Sequence, residues 1–389
     1  MDLKPFIQRI IDEIGPRPAG SDAELKAGEI VAGEFKKRGA KISTQDVPVA
    51  PGIIAGLFNL MMGTYLLAAV CYFFVPAVSA LLVAALLILF ILSRQIGNGA
   101  IDWMFKKTTT RNVIGTYTPG GKSGRTLIFS GHHDSPDMMP MLGLKTKRYV
   151  HLIEHSLVIG LALIIPAGIL RAILSGPVIS APFSISWYDG IFAISLLGLL
   201  LGLYFRSQMI TGIRNLGAND NLSAVSILVG IADYLKKNPP KNTKVVLVSF
   251  GSEEPFMYGS WGFAKENTRL IKDAININME TVGAGRLGII EKEKMYMNSY
   301  SPEAIDLIER AARRAGIDLP KIAITYGGTD SYSIIKHGGK SACLFGMDET
   351  ELFSLWHSPL DNPGNIEEPK LQTALKICIE AIKETDGRK

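Results

Sequence analysis

The sequence predicts an α/β protein with a mixed, mostly parallel sheet, helices on both faces, and transmembrane helices inserted into it. Three observations carry that expectation. Short apolar runs rich in β-branched residues, of which 245–250 (VVLVSF) is the clearest, have the continuous hydrophobicity of strands buried on both faces. Amphipathic helical patterns alternate with these runs, which is how parallel strands are connected. Two long apolar stretches interrupt the polar chain. Only 20% of the 389 residues are charged and mean hydropathy reaches +0.22, too apolar for an ordinary soluble enzyme.

Residues 5–14 carry apolar side chains at helical spacing. Ser21 with Glu24 forms a capping-box pattern, opening a helix that runs to Arg38 and ends at Gly39. Residues 41–49 then alternate like a strand. Residues 53–75 hold no charge, Pro76 breaks the run, and 77–93 is apolar again. A helix of about 20 apolar residues spans a bilayer, so this pair predicts a transmembrane hairpin rather than two core helices. Strands are expected at 111–116 and 125–130, around the turn PGGKSG, and the second delivers GHHDS at 131–135. A second, shorter hairpin is expected at 156–170 and 190–205, with Arg171, Trp187, Tyr188 and Arg206 at its ends, residue types that suit membrane interfaces.

The polar chain resumes at Gly217 with GANDN, and 222–235 is an amphipathic helix closed by Asn238 and Pro239. The apolar strand at 245–250 stops at Gly251 and is followed by adjacent acids, Glu253 and Glu254. A strand at 274–279 leads to Glu280. Ser301-Pro302 has the form of a cap followed by proline at the first helical position, and the helix continues to Ala315. Short strands at 322–325 and 342–345, a loop holding Trp356-His357, and a closing helix at 368–384 complete the pattern.

The expected layout is one polar domain built from 1–52, 96–148 and 207–389, with hairpins at 53–95 and 149–206. Arg94, Lys106, Lys107, Arg111, Lys145, Lys147, Arg148, Arg206 and Arg214 flank the hairpin bases, whereas the tip at 75–79 is uncharged. The longer loop after Leu170 has only Arg171 as a cation. By the positive-inside rule this predicts an integral membrane protein with four transmembrane helices and a cytoplasmic polar domain. The first 50 residues are polar and helical in pattern, unlike a signal peptide. Cys71, Cys343 and Cys378 are isolated, so neither a disulfide framework nor a thiolate zinc site is indicated. The +5 balance, 41 basic against 36 acidic residues, is explained by the hairpin flanks. There is no basic stripe for nucleic acid.

His132, Asp220, Glu254, Glu280 and His357 are the candidate metal ligands. None is informative alone: a lone histidine at a strand end is usually structural, an Asp between two Asn suits a helix cap, and an EE pair usually marks a solvated turn. Their order changes the reading, because each follows a separate strand-like segment, and sheets bring such ends together. Two neighbouring acids at such an edge can divide the work, one gripping metal and the other moving a proton. Nitrogen and carboxylate ligands without thiolate suit zinc, with cobalt or manganese as alternatives. Five ligands around one central carboxylate suit a pair of metals. Asp134 is spaced to hold the His132 imidazole, and Asp361 is a candidate for the same service to His357.

HHD, GANDN, SFGSEE, NMET and WHS, in this order, resemble the zinc aminopeptidase family M28, and the likeness covers roughly 1–50, 110–140 and 212–385. It implies the zinc aminopeptidase fold, similar to phosphorylase and bacterial aminopeptidases, with a peptide as substrate. Residue by residue it implies His132 on one metal, Asp220 bridging both, and Glu253 as general base. Glu254 becomes a ligand, Glu280 a ligand of the metal that His132 also holds, and His357 a ligand of the other metal. Asp134 joins Glu253 in the catalytic set. Three departures stand out: Glu280 where the family usually has Asp, Trp356 where many members have Tyr, and LSA after GANDN in place of ASG. The hairpins lie outside the common core, and the second enters between the HxD and GxxDN motifs.

The expectation is therefore a membrane-anchored peptidase with two Zn2+ per chain, most simply an aminopeptidase, with peptide and lipid bilayer as its partners. The sequence leaves the oligomeric state open. Carboxypeptidase, dipeptidase, a one-zinc glutaminyl cyclase-like acyl transferase and a catalytically inactive membrane scaffold remain as alternatives. The six filled positions weigh against the scaffold, and the absence of charge within the first hairpin weighs against a transporter. The segment GGTDS (327–331) fits either a pocket wall or a glycine turn, and His133 is expected to point away from the metals.

Overall fold

A computed structural model describes residues 2–96, 102–121, 124–143, 149–178, 183–350 and 352–387. The chain forms two units, one comprising Met1–Pro51, Lys107–Gly143 and Gly212–Lys389, the other Gly52–Lys106 and Leu144–Thr211.

The elements are, in order, helices α1 (Lys4–Glu13) and α2 (Asp22–Lys37), strand β1 (Lys41–Val49), and helices α3 (Ile53–Phe74) and α4 (Pro76–Ile96). Strands β2 (Thr108–Tyr117) and β3 (Arg125–His132), helices α5 (Val150–Ser175), α6 (Asp189–Met209) and α7 (Leu222–Lys237), and strand β4 (Thr243–Phe250) follow. Next come α8 (Tyr258–Glu266), α9 (Thr268–Asp273), β5 (Ala274–Glu280), β6 (Arg286–Glu293) and β7 (Asn298–Ser299). The chain closes with α10 (Pro302–Arg314), β8 (Lys321–Ile324), α11 (Ser331–Lys336), β9 (Lys340–Met347) and α12 (Glu368–Thr385).

In the first unit the described strands form one sheet in the order β1-β2-β4-β3-β5-β9-β6-β7, with β8 on β6. Strands β4, β3, β5 and β9 run parallel at its centre, and antiparallel pairs flank them on both sides. Period-two alternation explains the layers. Leu127 and Phe129 of β3 and Val245 and Leu247 of β4 pack on one face with residues of α1, α2, α7, α10 and α12. Ile128, Val246 and Val248 point to the other face, against Phe263 of α8, Ile271 of α9 and Ile334 of α11. Strands apolar on both faces take the centre. The pairings His132 with Phe250 and Glu280 with Phe345 bring the carboxyl ends of β3, β4, β5 and β9 to one edge.

Some local expectations change. β2 and β3 are not hairpin partners, because β4 lies between them, antiparallel to β2 and parallel to β3. Residues 122–123 of the expected turn lie outside the described residues. Strands β6 and β7 were not legible, since β6 offers only a short apolar stretch between charged residues. Ser301 precedes Pro302 as expected but makes no side-chain cap; its hydroxyl accepts from Ser341 N at 3.0 Å. Ser21 does cap, accepting from Glu24 N at 3.2 Å.

The second unit is helical. Among its described residues, Ile53–Phe74, His155–Ser175 and Asp189–Met209 are long and apolar enough to cross a membrane, and the apolar stretch Pro76–Phe90 of α4 is shorter. Met62, Tyr65, Ala68, Val83, Leu157, Leu161, Ile164 and Leu199 form its core. The expected segment at 156–170 proves longer, as α5 continues past Arg171 to Ser175. Arg171 is buried, 2.6 Å from Asp189, with its guanidinium 5.0 Å from the centre of the Tyr72 ring. Arg206 donates to Asn59 Oδ1. Of the other expected flanking cations, Arg111 pairs with Asp46 and Arg214 with Asp137, both in the first unit. The Arg94 side chain and Lys145, Lys147 and Arg148 lie outside the described residues.

Candidate metal centre

The carboxyl edge of the sheet collects the candidate ligands. His132 ends β3, Glu280 ends β5, and Glu253 and Glu254 follow β4. Asp220 lies in the loop before α7 and His357 in the loop after β9. His132 Nε2 stands 3.3 Å from Asp220 Oδ1 and 3.3 Å from Glu280 Oε1. His357 Nε2 is 3.5 Å from Asp220 Oδ2 and 3.1 Å from Glu254 Oε2. The five residues thus make two triads that share Asp220, each with ligand atoms mutually within 4.8 Å. Glu253 lies beside them, its Oε2 3.8 Å from His132 Nε2. The longer arm of Glu280 reaches the imidazole without difficulty, and Trp356 packs on the His357 ring with centroids 4.5 Å apart.

Supporting groups fix this arrangement. Asp134 accepts from His132 Nδ1 at 3.1 Å and from the backbone amides of Glu253 and Glu254 at 3.0 and 3.1 Å. One carboxylate therefore sets the tautomer of the imidazole and the course of the EE loop. Asp361 behaves differently from expectation: its oxygens receive the amides of Asn219 and Asp220, backbone donors that precede α7 and need acceptors. Asn219 bridges Ser354 O and Gly283 N, and Asn221 reaches Met279 O of β5, so these asparagines tie the loop to its neighbours and their side chains do not cap α7. His133 turns away from the ligands, its Nδ1 2.9 Å from Ser249 Oγ.

Sequence reading missed Glu24. Beyond the capping box it accepts from Gly20 N, Thr110 Oγ1, and both the amide and hydroxyl of Ser252, which ties α2 to the EE loop. Asp330 was also unassigned. It is fully buried, so the GGTDS segment does not present this carboxylate as a pocket wall, and Thr329 N is held by Glu293 at 2.8 Å. Ser252, Thr281 and His357 adopt φ of 50°, 49° and 48°, left-handed backbone at or beside the site residues. Such conformations persist only where surrounding structure enforces them.

The electrostatics follow from crowding acids in low dielectric. Burial pushes Glu254 and Glu253 well above the usual carboxylate range, and Glu280 to about 8. For Glu253, His132 works against burial, while Asp330, Glu254 and Glu280 add to it. Burial alone lowers the His132 pKa, but Glu280, Asp134 and Asp220 together outweigh it and hold the imidazole well above its ordinary value. Asp134, despite burial, is lowered by His132 and the two amides it accepts.

These residues fit divalent metal. His132 Nε2, Asp220 Oδ2, Glu254 Oε1 and Glu280 Oε2 are buried and have no hydrogen-bond partner among the described residues, which is unfavourable unless a cation takes their lone pairs. The donor set of imidazole and carboxylate without thiolate matches zinc. His132 and Asp220 side chains are 1% and 3% exposed, against 13%, 12% and 17% for Glu253, Glu254 and His357. The latter three mark the more exposed side of the cluster.

Residues 202–382 match the family described as peptidase family M28. The match spans a little under half of the chain. Aminopeptidase YwaD of Bacillus subtilis is 28% identical over 177 residues, 43% of this chain and 37% of that enzyme, so the chain matches little more than a third of its curated relative's length. Among solved structures, a glutaminyl cyclase of Bacteroides thetaiotaomicron bound to N-acetylhistamine has a TM-score of 0.57 at 16% identity, covering 98% of this chain and 96% of that one. A Zn-dependent exopeptidase of Parabacteroides distasonis has a TM-score of 0.56 at 18% identity, again covering 98% and 96%. The likeness to family M28 expected from the motifs is found over 202–382, and the α/β fold expected from them is shared with these solved structures, which at such identities speak for the fold alone.

Proposed function

We propose that this chain is a membrane-anchored di-zinc metallopeptidase that removes N-terminal residues from peptides. The observation that carries the proposal is the pair of triads sharing Asp220, with the carboxylate of Glu253 beside them on the accessible side. His132, Asp220 and Glu280 would hold one ion and Asp220, Glu254 and His357 the other. Bound zinc would supply acidification of a water and polarisation of a carbonyl. Glu253 accepts the proton of the attacking water and returns it to the leaving amine. Asp134 keeps His132 in the tautomer that presents Nε2 to metal.

Three apolar helices of spanning length among the described residues support anchoring, and the expected four-helix arrangement with a cytoplasmic catalytic domain follows the same reading. A peptide mixture with free, acetylated and N-terminal glutamine ends, analysed by mass spectrometry, tests the activity. Loss of single residues from free N-termini is expected. Pyroglutamyl products without cleavage would favour acyl transfer, and shortening from the C-terminus would favour a carboxypeptidase.

A further inference from the structure

Arg17 is the largest fully buried side chain of the first unit, and it lies outside every motif that marks the centre. Its guanidinium donates to backbone carbonyls from three chain segments. Nε–H reaches His133 O at 2.8 Å; Nη1 reaches Gly15 O and Leu216 O, each at 2.9 Å; and Nη2 reaches Gly217 O at 3.0 Å. The backbone of the same residue is engaged too. Arg17 N donates to Ser135 Oγ at 2.8 Å, and Ser135 N donates back to Arg17 O at 2.9 Å. Ser135 Oγ in turn donates to Asn215 O at 3.1 Å. Burial lowers the Arg17 pKa only to about 10, so it remains a cation beneath the acids.

Two of the segments it joins carry His132 and Asp220, which belong to one triad. His133 directly follows His132, and Gly217 stands three residues before Asp220. In sequence they are parted by residues 144–211, the larger piece of the helical unit. The arms leading out and back pair inside the first unit: Met138 N donates to Ile213 O at 2.8 Å, and Asn215 N to Pro136 O at 3.1 Å. They also touch the third ligand loop, since Met139 N donates to His357 O at 2.7 Å and Asn215 Nδ2 to Ser358 O at 2.9 Å. Gly217 has φ +58°, and a Cβ there would stand 2.9 Å from Arg17 Nη2 and 2.6 Å from Ser135 Cβ, so the loop closes tightly on the guanidinium. A chain that must leave between two ligand loops and return needs a device to keep those loops in register. A planar fork of fixed donors does this in a way a flexible ammonium does not.

We propose that Arg17 is a positioning residue of the metal centre: it clasps the His132 and Asp220 loops across the insertion, so that zinc affinity depends on a guanidinium that touches neither metal nor substrate. This rests on the two-metal reading above. The test is zinc affinity, measured by competition with a chromogenic chelator on detergent-purified full-length apo protein, for the unsubstituted chain, Arg17→Lys and Arg17→Met. Far-UV circular dichroism reports folding. The expected result is zinc binding at least about ten-fold weaker in both variants, the range seen when groups orienting ligands are removed. If Arg17→Met does not fold, Arg17→Lys, which keeps the charge but loses the fork, carries the test. A folded Arg17→Lys variant with zinc affinity within two-fold of the unsubstituted chain overturns the proposal, whatever its thermal stability. Failure of the unsubstituted chain to bind zinc removes the metal reading itself, and this proposal with it.

Discussion

In the helical unit Arg171 meets Asp189 at 2.6 Å, Tyr72 and the Ser186 amide donate to the same carboxylate, and the guanidinium lies over the Tyr72 ring. In the sheet unit, by contrast, His132, Asp220, Glu254 and Glu280 converge with buried polar atoms that have no hydrogen-bond partner among the described residues. Both regions bury charge. The first neutralises itself and holds helices together; the second, on the two-metal proposal, is completed by a ligand from outside. Burial of ionisable groups is therefore not the mark of a site. What marks it is a deficit of partners combined with a geometry that a metal can fill.

The comparison can be tested at each end. Glu253→Gln should reduce peptide hydrolysis the most, by roughly a thousand-fold within the range for a lost general base, with zinc content unchanged by elemental analysis. Loss of zinc along with activity would instead make Glu253 part of the ligand set. Arg171→Ala leaves the partly exposed Asp189 carboxylate without its cation and should destabilise the detergent-solubilised protein by about 2 kcal/mol. The activity of the protein that remains folded should be unaltered, and a selective loss of activity would mean the helical unit serves catalysis.

Glu293 offers an intermediate case, a buried acid with three donors, Tyr300, Asn298 and Thr329 N. Burial still pushes its pKa up to about 7. Because the folded value lies above the ordinary 4.5, its contribution to stability is complete below pH 4.5 and falls away as pH rises to 7. Glu293→Gln should flatten that part of the stability profile, by up to about 3 kcal/mol, in denaturant unfolding at several pH values. An unchanged slope would mean that its donors keep the carboxylate charged throughout. Asp134→Asn should have the smallest effect, weakening zinc binding or turnover by about ten-fold to a hundred-fold, since the imidazole and the EE loop lose their shared acceptor.

Much of this was legible in the sequence because it is written in local patterns. The apolar run 245–250, the motif order, and the positions of His132, Glu254, Glu280 and His357 after strands were enough to expect one edge where they meet. Reading failed where partners are distant in the chain. Glu24 looked like half of a capping box, and only the fold brings Ser252 to it, 228 positions away. Asp361 looked like a partner for nearby His357, yet its oxygens serve amides about 140 positions earlier in the chain. β4 separates β2 from β3 because pairing follows burial on both faces, which adjacency in sequence does not reveal. Arg17, in a proline- and glycine-rich stretch, carried no signal at all.

The most direct test of the two-metal account is elemental analysis of detergent-purified protein, stripped with chelator, re-equilibrated with zinc and freed of excess, alongside His357→Ala. The account predicts about two zinc per chain, falling to about one in the variant, because His357 belongs to only one triad. A single zinc that survives loss of His357, or none at all, would contradict it.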